Sequence, residues 1–315
     1  MEKYDVIVIG GGAAGITSAI FTSRKKLRTL IITIDMGGQN LLTEHEENYP
    51  GYLESSGPKL MKIFETQAKR FGADFTFGKT KSVEKHGSNF IVATAHGEKY
   101  ECRVLILAYG KVPRTLGIKG EEELLGRGVS TSSTFDAPKF AGKNVAVVGG
   151  GNSALEAAVS LADIASHVYL VHRRDAFRAD EITVENVRGR KNVTFVLNSV
   201  PSEIEGHDHV TGLVTEDVNT KEKKHVNLDG VFIEIGFMVD TSMIQHLVST
   251  NHEKEVVINK YCETSCPGIF AAGDITDTPY KQTATAVGLG ATAGLSAYNY
   301  ICKLDGKPGA KIDWN

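Results

Sequence analysis

Apolar positions along this chain fall into two alternating kinds of run. Short, β-branched stretches occur at Tyr4 to Ile9, Thr29 to Thr33, Arg103 to Ala108, Val145 to Val148 and His167 to Val171. Their nearly unbroken hydrophobicity is that of strands buried on both faces of a parallel sheet. Other apolar residues recur at helical spacing: Ile16, Ala19 and Ile20 after the first strand, and Leu155, Ala158, Val159 and Ala162 after the fourth. The segment Pro58 to Phe71 predicts an amphipathic helix with Leu60, Ile63, Phe64 and Ala68 on one face. Phe75 to Tyr100 alternates as the strands of an antiparallel meander do. Strand followed by helix followed by strand, twice over, predicts an α/β fold.

Both strand-to-helix turns are glycine loops. The first reads Gly10-Gly11-Gly12-Ala13-Ala14-Gly15, and the second Gly149-Gly150-Gly151-Asn152-Ser153-Ala154. Strand, G-x-G-x-x-G/A and helix is the context of a dinucleotide site, where one glycine makes the tight turn and the next lets backbone approach a pyrophosphate. The third position packs helix on strand, and the helix N-terminus offers unpaired N–H groups to the phosphates. The strands that follow end differently. After Thr33 the nearest acid is Asp35, a loose fit to a ribose ligand. After Val171 come His172, Arg173 and Arg174, with Arg178 beyond. Guanidinium groups at that point match a ribose 2′-phosphate, which predicts NADPH rather than NADH; the alternative is a solvated basic strand end. Two such sites in one chain predict a flavin and a nicotinamide.

Composition narrows the class. A chain of 315 residues is long enough for two domains, and its net charge of -3 argues against a general nucleic-acid binder. No apolar run approaches the roughly 20 residues of a membrane span, and the N-terminus enters a strand without the pattern of a signal peptide. A cytoplasmic protein is expected, with no nucleic-acid or membrane partner. The four cysteines, Cys102, Cys262, Cys266 and Cys302, are too scattered for a disulfide framework, and no metal site is expected. Cys262 and Cys266 read either as two thiols in a strand-end loop or as a redox pair. His45, in an acidic stretch, reads as a solvated surface histidine.

From Val145 to Arg178 the sequence resembles the low-molecular-weight thioredoxin reductases, and the likeness extends over nearly the whole chain. It runs through GGGAAG, GGQ, ENYPG, GVSTSSTFDA, GGGNSA, HRRDAFRA, DGVFIEIG, PGIFAAGDI and YKQTATAVGLGA. The resemblance implies two Rossmann-like, three-layer ββα domains: an FAD domain of residues 1–113 and 243–315, and an NADPH domain of residues 114–242 inserted between them. It also implies a homodimer. Gly10, Gly12, Ala13, Ala14 and Gly15 would cradle the FAD pyrophosphate. Gly38, Gln39, Asn48 and Gly110 would line the flavin side, and Gly273 and Asp274 the ribityl chain. Lys281, Gln282 and Thr283 would meet the flavin pyrimidine ring at a helix N-terminus. Gly151, Asn152, Ser153, Ala154, His172, Arg173, Arg174, Arg178 and Gly236 would bind NADPH.

The sequence departs from the family where the family's chemistry lies. Ser132 and Phe135 stand where thioredoxin reductases carry the two cysteines of a C-x-x-C pair, within otherwise matching surroundings. Neither residue has thiol redox chemistry, and Asp136, which resembles the family's proton donor, is left to cap the following turn. Tyr109 replaces a threonine before Gly110. Trp314, in the short C-terminal tail, reads as a surface anchor, or as a flavin-stacking aromatic of the kind found in related ferredoxin–NADP reductases. The leading expectation is an NADPH oxidoreductase passing electrons from FAD directly to a ferredoxin or flavodoxin, a free flavin, a quinone or oxygen. The alternatives are a disulfide reductase working through Cys262 and Cys266 or a partner's thiols, and an FAD- and NADPH-binding redox sensor with little turnover.

Overall fold

The computed structural model describes residues 1–43, 46–53 and 55–309, so His45 and Trp314 lie outside the described residues. The chain divides into two compact units, Met1–Val112 with Met238–Asn315, and Pro113–Phe237.

The first unit opens with β1 (Glu2–Ile9), α1 (Ala13–Arg24), β2 (Thr29–Thr33), α2 (Gly57–Arg70) and β3 (Asp74–Phe77). A meander follows: β4 (Thr80–His86), β5 (Asn89–Thr94) and β6 (Lys99–Leu107). The strands form one sheet in the order β3-β2-β1-β6-β5-β4. Its β3, β2, β1 and β6 are parallel, and β4, β5 and β6 antiparallel. One sheet face, including Val6, Val8, Ile31 and Ile106, packs on Ile16, Leu60 and Phe64 of the helices. The other, including Ile7, Ile9, Leu30 and Leu105, packs on Val83, Phe90 and Val92 of the meander. Burial on both faces is why these strands are apolar without alternation.

Three expectations change here. Phe75 belongs to β3, parallel to β2, so the meander begins at Thr80. Arg103 to Leu107 is not a separate strand but the second half of β6, whose first half pairs with β5, and Ala108 follows the strand. Ile63 is 40% exposed while Met61 is 1% exposed. At about 100° per residue, Met61 falls within the stripe of Leu60, Phe64 and Ala68, and Ile63 lies roughly 120° from its centre.

The chain leaves this unit through β7 (Val112–Pro113). The second unit holds β8 (Val129–Ser130), α3 (Ser133–Asp136), β9 (Asn144–Gly149), α4 (Asn152–Ala162), β10 (His167–Val171), α5 (Glu181–Arg188) and β11 (Val193–Val196). It continues with β12 (Ser199–Gly206), β13 (Val210–Asp217), β14 (Lys223–Asn227) and β15 (Gly230–Glu234). Its main sheet has the order β11-β10-β9-β15-β8 and is parallel throughout. Strands β12, β13 and β14 make a separate antiparallel sheet. Val145, Val147, Val168 and Phe232 pack on Leu155 and Leu161 of α4. Ala146, Val148 and Val231 pack on Ile204 and Leu213.

The return runs through β16 (Phe237–Met238), which pairs with β7. The chain is back in the first unit from Met238, and Val239, Ile244 and Val248 are part of that unit's core. Then β17 (Ile269–Ala271) joins β6 in parallel, and α6 (Thr283–Leu304) closes the described chain. Helix α6 lies against α1 at glycine distance: a Cβ on Gly290 would fall 2.3 Å from the Ala14 carbonyl oxygen. Ser18 Oγ bridges the two helices, donating to the carbonyls of Ala14 at 2.8 Å and Gly290 at 3.1 Å.

Candidate functional site

Each glycine loop sits at the carboxyl end of a central strand, where neighbours on either side connect in opposite directions. That is where open α/β sheets bind ligands.

In the first unit, the sequence makes the loop tight below and open above. Gly10 has φ +109°, and a Cβ there would lie 2.4 Å from the Ala108 carbonyl oxygen. A Cβ on Gly15 would lie 1.9 Å from the oxygen of Gly10. Above the loop there is room: a Cβ on Gly12 would meet only Gly37 oxygen at 3.7 Å, and one on Gly110 nothing within 4 Å. The first turns of α1 and α6 carry no side-chain cap and no acid, which leaves their N–H groups for an anion. Thr33 Oγ accepts from Gly11 N–H at 2.9 Å and donates to the Asp35 carbonyl at 2.5 Å. Asp35 Oδ1 accepts from Gly38 N–H at 2.6 Å, so one of its carboxylate oxygens is engaged in holding the Gly37–Gly38 turn.

Segments far apart in sequence meet at the start of α6. Asn48 donates to Gln282 Oε1 at 3.1 Å, and Thr283 donates to Asn40 Oδ1 at 2.8 Å. Gln39 donates to the Lys111 carbonyl at 3.4 Å. Asp274, next to Gly273, makes no hydrogen bond with another described residue. Burial pushes its carboxyl up, and the Lys281 and Lys111 ammoniums pull the other way. Beside it, Glu255 Oε1 accepts from Lys111 at 3.0 Å and pairs with Lys281 at 3.2 Å, while Oε2 accepts from Asn251 at 3.0 Å. Burial raises the Glu255 carboxyl, but these three donors outweigh it and hold the group below the usual carboxylate range. Tyr109 has a buried hydroxyl with no partner, and burial, then Asp240, pushes its pKa up. A dinucleotide fits this site: an open glycine surface, two uncapped helix N-termini and a half-buried carboxylate, Asp274, free for hydroxyl donors.

In the second unit, a Cβ on Gly149 would lie 2.3 Å from the Glu234 carbonyl oxygen and one on Gly151 would meet nothing within 4 Å. Ala154 is fully buried, as the packing position requires, while Asn152 and Ser153 are exposed. Asn152 and Asp180 are reciprocally bonded, at 2.9 and 2.8 Å, and Arg178 N–H donates to the Gly150 carbonyl at 2.9 Å. These bonds tie the glycine loop to the basic segment. His172 is 7% exposed, and its ring occupies the space a Cβ on Gly150 would need. It stacks on Phe177 at 5.2 Å, and Nε2 donates to the Ala176 carbonyl at 3.2 Å. The imidazole thus forms the floor of the loop. Burial, reinforced by Arg173, Arg174 and Arg178, holds it below the ordinary histidine pKa against the Ala176 bond. The three arginines are exposed and make no ion pair with a described residue. Gly236 has φ +88° and open space about it.

Ser132 lies just before α3. Its N–H donates to Ser130 Oγ at 3.0 Å, and Ser130 Oγ donates to Asp136 Oδ2 at 2.7 Å. Asp136 does not cap the following turn: its other oxygen accepts from Lys139 at 2.6 Å. Burial raises its carboxyl, and Lys139 and Ser130 more than offset this. Phe135 is in α3, with its side chain outside the described residues.

Cys262 and Cys266 are not a pair. Cys262 packs in the cluster on the helix side of the sheet and Cys266 in the cluster on the meander side. All four cysteines are free and buried, and burial pushes the Cys262 thiol up to about 11. The placement of these two thiols, buried in separate clusters, speaks against a disulfide reductase built on them. Among the described residues there is no metal-ligand cluster, and no helix is long and apolar enough to cross a membrane.

Residues 4–290 match the family model of the pyridine nucleotide-disulphide oxidoreductases. A component of the alkyl hydroperoxide reductase of Staphylococcus aureus is 39% identical over 96% of this chain and 60% of its own length. A protein named NADH dehydrogenase from Bacillus subtilis is 38% identical over 96% of this chain and 59% of its own. The chain thus spans about 60% of the length of these curated relatives. Among solved structures, the thioredoxin reductase of Lactococcus lactis matches with a TM-score of 0.81 and 34% identity, over 95% of this chain and 99% of that one. The chain belongs to the pyridine nucleotide-disulphide oxidoreductases, as an FAD- and NAD(P)H-dependent flavoprotein of the thioredoxin reductase type.

Proposed function

We propose that this protein oxidises NADPH and passes the electrons through FAD directly to an acceptor other than thioredoxin. The observation that carries the reading is Ser132 and Phe135 at the positions of the family's redox cysteines, with every cysteine of the chain buried elsewhere. FAD, when bound, supplies the two-electron chemistry. The first unit's task is to hold it, with Gly10, Gly12, Ala13, Ala14 and Gly15 at the pyrophosphate and Asp274 at the ribityl hydroxyls. Gly38, Gln39, Asn48, Gly110, Lys281, Gln282 and Thr283 line the ring side. In the second unit, Gly151 and the start of α4 take the nucleotide pyrophosphate. Arg173, Arg174 and Arg178 take the 2′-phosphate, and His172 supports the loop from beneath. Three exposed guanidiniums on one strand end support NADPH as the donor.

A relative named NADH dehydrogenase supports oxidation of a reduced nicotinamide nucleotide, though its name gives NADH rather than NADPH. The acceptor class is a ferredoxin or flavodoxin, a free flavin, a quinone or oxygen, and the working form is a cytoplasmic homodimer. Two measurements test the reading. Anaerobic mixing with NADPH is expected to bleach the oxidised flavin band on the time scale of turnover; a band that persists points to a sensor. An acceptor panel at steady-state NADPH is expected to find flavin, quinone or carrier-protein reduction faster than reduction of thioredoxin or of an aromatic disulfide. The reverse order would refute the proposal.

A further inference from the structure

In the ion network of Lys111, Glu255 and Lys281, only Lys281 belongs to a segment that the sequence assigns to the cofactor; Lys111 and Glu255 do not. Its members come from three separate places: the segment after β6, the loop before β17 and the turn before α6. All three lie at the carboxyl ends of β6 and β17, beside Gly110 and Asp274. Glu255 is 6% exposed, and its Oε1 alone holds both ammonium groups, at 3.0 and 3.2 Å. One lysine and Asn251 would suffice to pair this carboxylate. Recruiting a second, half-buried lysine costs side-chain entropy and desolvation and leaves the trio with an excess of one positive charge, which faces the Asp274 carboxyl beside it. Lys281 also donates to the Thr276 carbonyl, so its ammonium is fixed from a second side. The excess charge sits beside the uncapped N-terminus of α6, whose partial positive charge adds to it.

We propose that Lys111 and Glu255 are tuning residues for the flavin. Lys111 places a positive charge where the ring gains negative charge on reduction, and Glu255 limits that charge while holding Lys111 and Lys281 in position. The inference rests on FAD occupying the first glycine loop. Lys111 acts through its charge, and Glu255 acts as a positioning residue and counter-ion, so their removal has opposite signs. Lys111→Met withdraws a positive charge and disfavours the reduced state. Glu255→Gln keeps the hydrogen-bond acceptor, withdraws the negative charge and favours the reduced state. A staple holding loops together has no such asymmetry.

The test is the two-electron midpoint potential of the bound flavin, measured by equilibration with reference dyes in the purified full chain, with FAD content and thermal melting as controls. Withdrawing one unit charge, screened by its counter-ion and by solvent, is expected to change the ratio of reduced to oxidised flavin about tenfold. For a two-electron couple that is about 30 mV. Lys111→Met is expected to lower the potential by that amount, Lys111→Arg to restore it, and Glu255→Gln to raise it. Should Glu255→Gln lose FAD, the comparison of Lys111→Met with Lys111→Arg decides. Shifts of the same sign, or none, with FAD fully bound would overturn the inference and leave the proposed function standing. A wild-type protein that binds no FAD would overturn both.

Discussion

In the proposed function Arg173 and Arg174 carry the choice of nucleotide, and replacing both by alanine isolates that choice. Neither makes an ion pair with a described residue and both are exposed, so the substitution removes no internal contact and the melting temperature is expected to stay within a degree or two. A hydrogen bond to a charged group contributes about 1.5–3 kcal/mol, and solvent exposure places these at or below the lower end. The pair together is worth about 2–3 kcal/mol toward a 2′-phosphate. At about 1.4 kcal/mol per factor of ten, the kcat/KM for NADPH falls about 30- to 150-fold. NADH lacks the phosphate, and its kcat/KM is expected to change less than about threefold, so the preference collapses or inverts. The assay is steady-state oxidation of each nucleotide with one fixed acceptor, repeated at two salt concentrations, since a phosphate contact weakens with ionic strength. Equal losses for both nucleotides would show that the arginines bind something common to both, and the 2′-phosphate argument would fail.

Three further outcomes follow from the geometry. Gly15→Ala places a Cβ 1.9 Å from the Gly10 carbonyl oxygen; the protein is expected to purify with little FAD, read from flavin absorbance per chain, and full occupancy would contradict the packing role of that position. The Cys262→Ser/Cys266→Ser double variant is expected to keep full turnover per bound FAD while losing roughly 1–3 kcal/mol of stability from buried hydroxyls; loss of a disulfide-reducing activity in it would reverse the assignment of these thiols. His172 has a folded pKa depressed by burial, so below the ordinary value of about 6.5 the unfolded chain binds the extra proton and the folded chain does not. Stability is therefore full above that pH and falls as pH drops through it, a dependence that urea melts of His172→Asn are expected to lack.

Both glycine loops and the strands feeding them could be read from the sequence because backbone constraints act locally. A tight turn, a close helix and an open face each demand glycine or alanine at a fixed offset, as at Gly10, Gly15 and Ala154. The arginines were readable for the same reason, their place being set by one strand end. What the sequence concealed depends on tertiary approach. Glu255 lies in an EKE run that carries no motif, and only the fold brings Lys111 and Lys281 to it. His172 carries the pattern of a phosphate ligand, yet its ring is buried beneath Gly150. The spacing of Cys262 and Cys266 suggested a pair, but the intervening backbone places them on opposite faces of one sheet. Ile63 misled because one helical position separates the buried stripe from solvent.

The central claim is that the flavin is the last redox centre within this chain. Anaerobic titration of the oxidised protein with NADPH counts the centres directly. A thioredoxin reductase with its own disulfide takes up about two equivalents of reductant per FAD, one for each two-electron couple. This protein is expected to bleach fully at about one equivalent, with no thiols newly reactive toward a disulfide reagent. A second equivalent consumed per FAD, accompanied by two new thiols, would contradict the account.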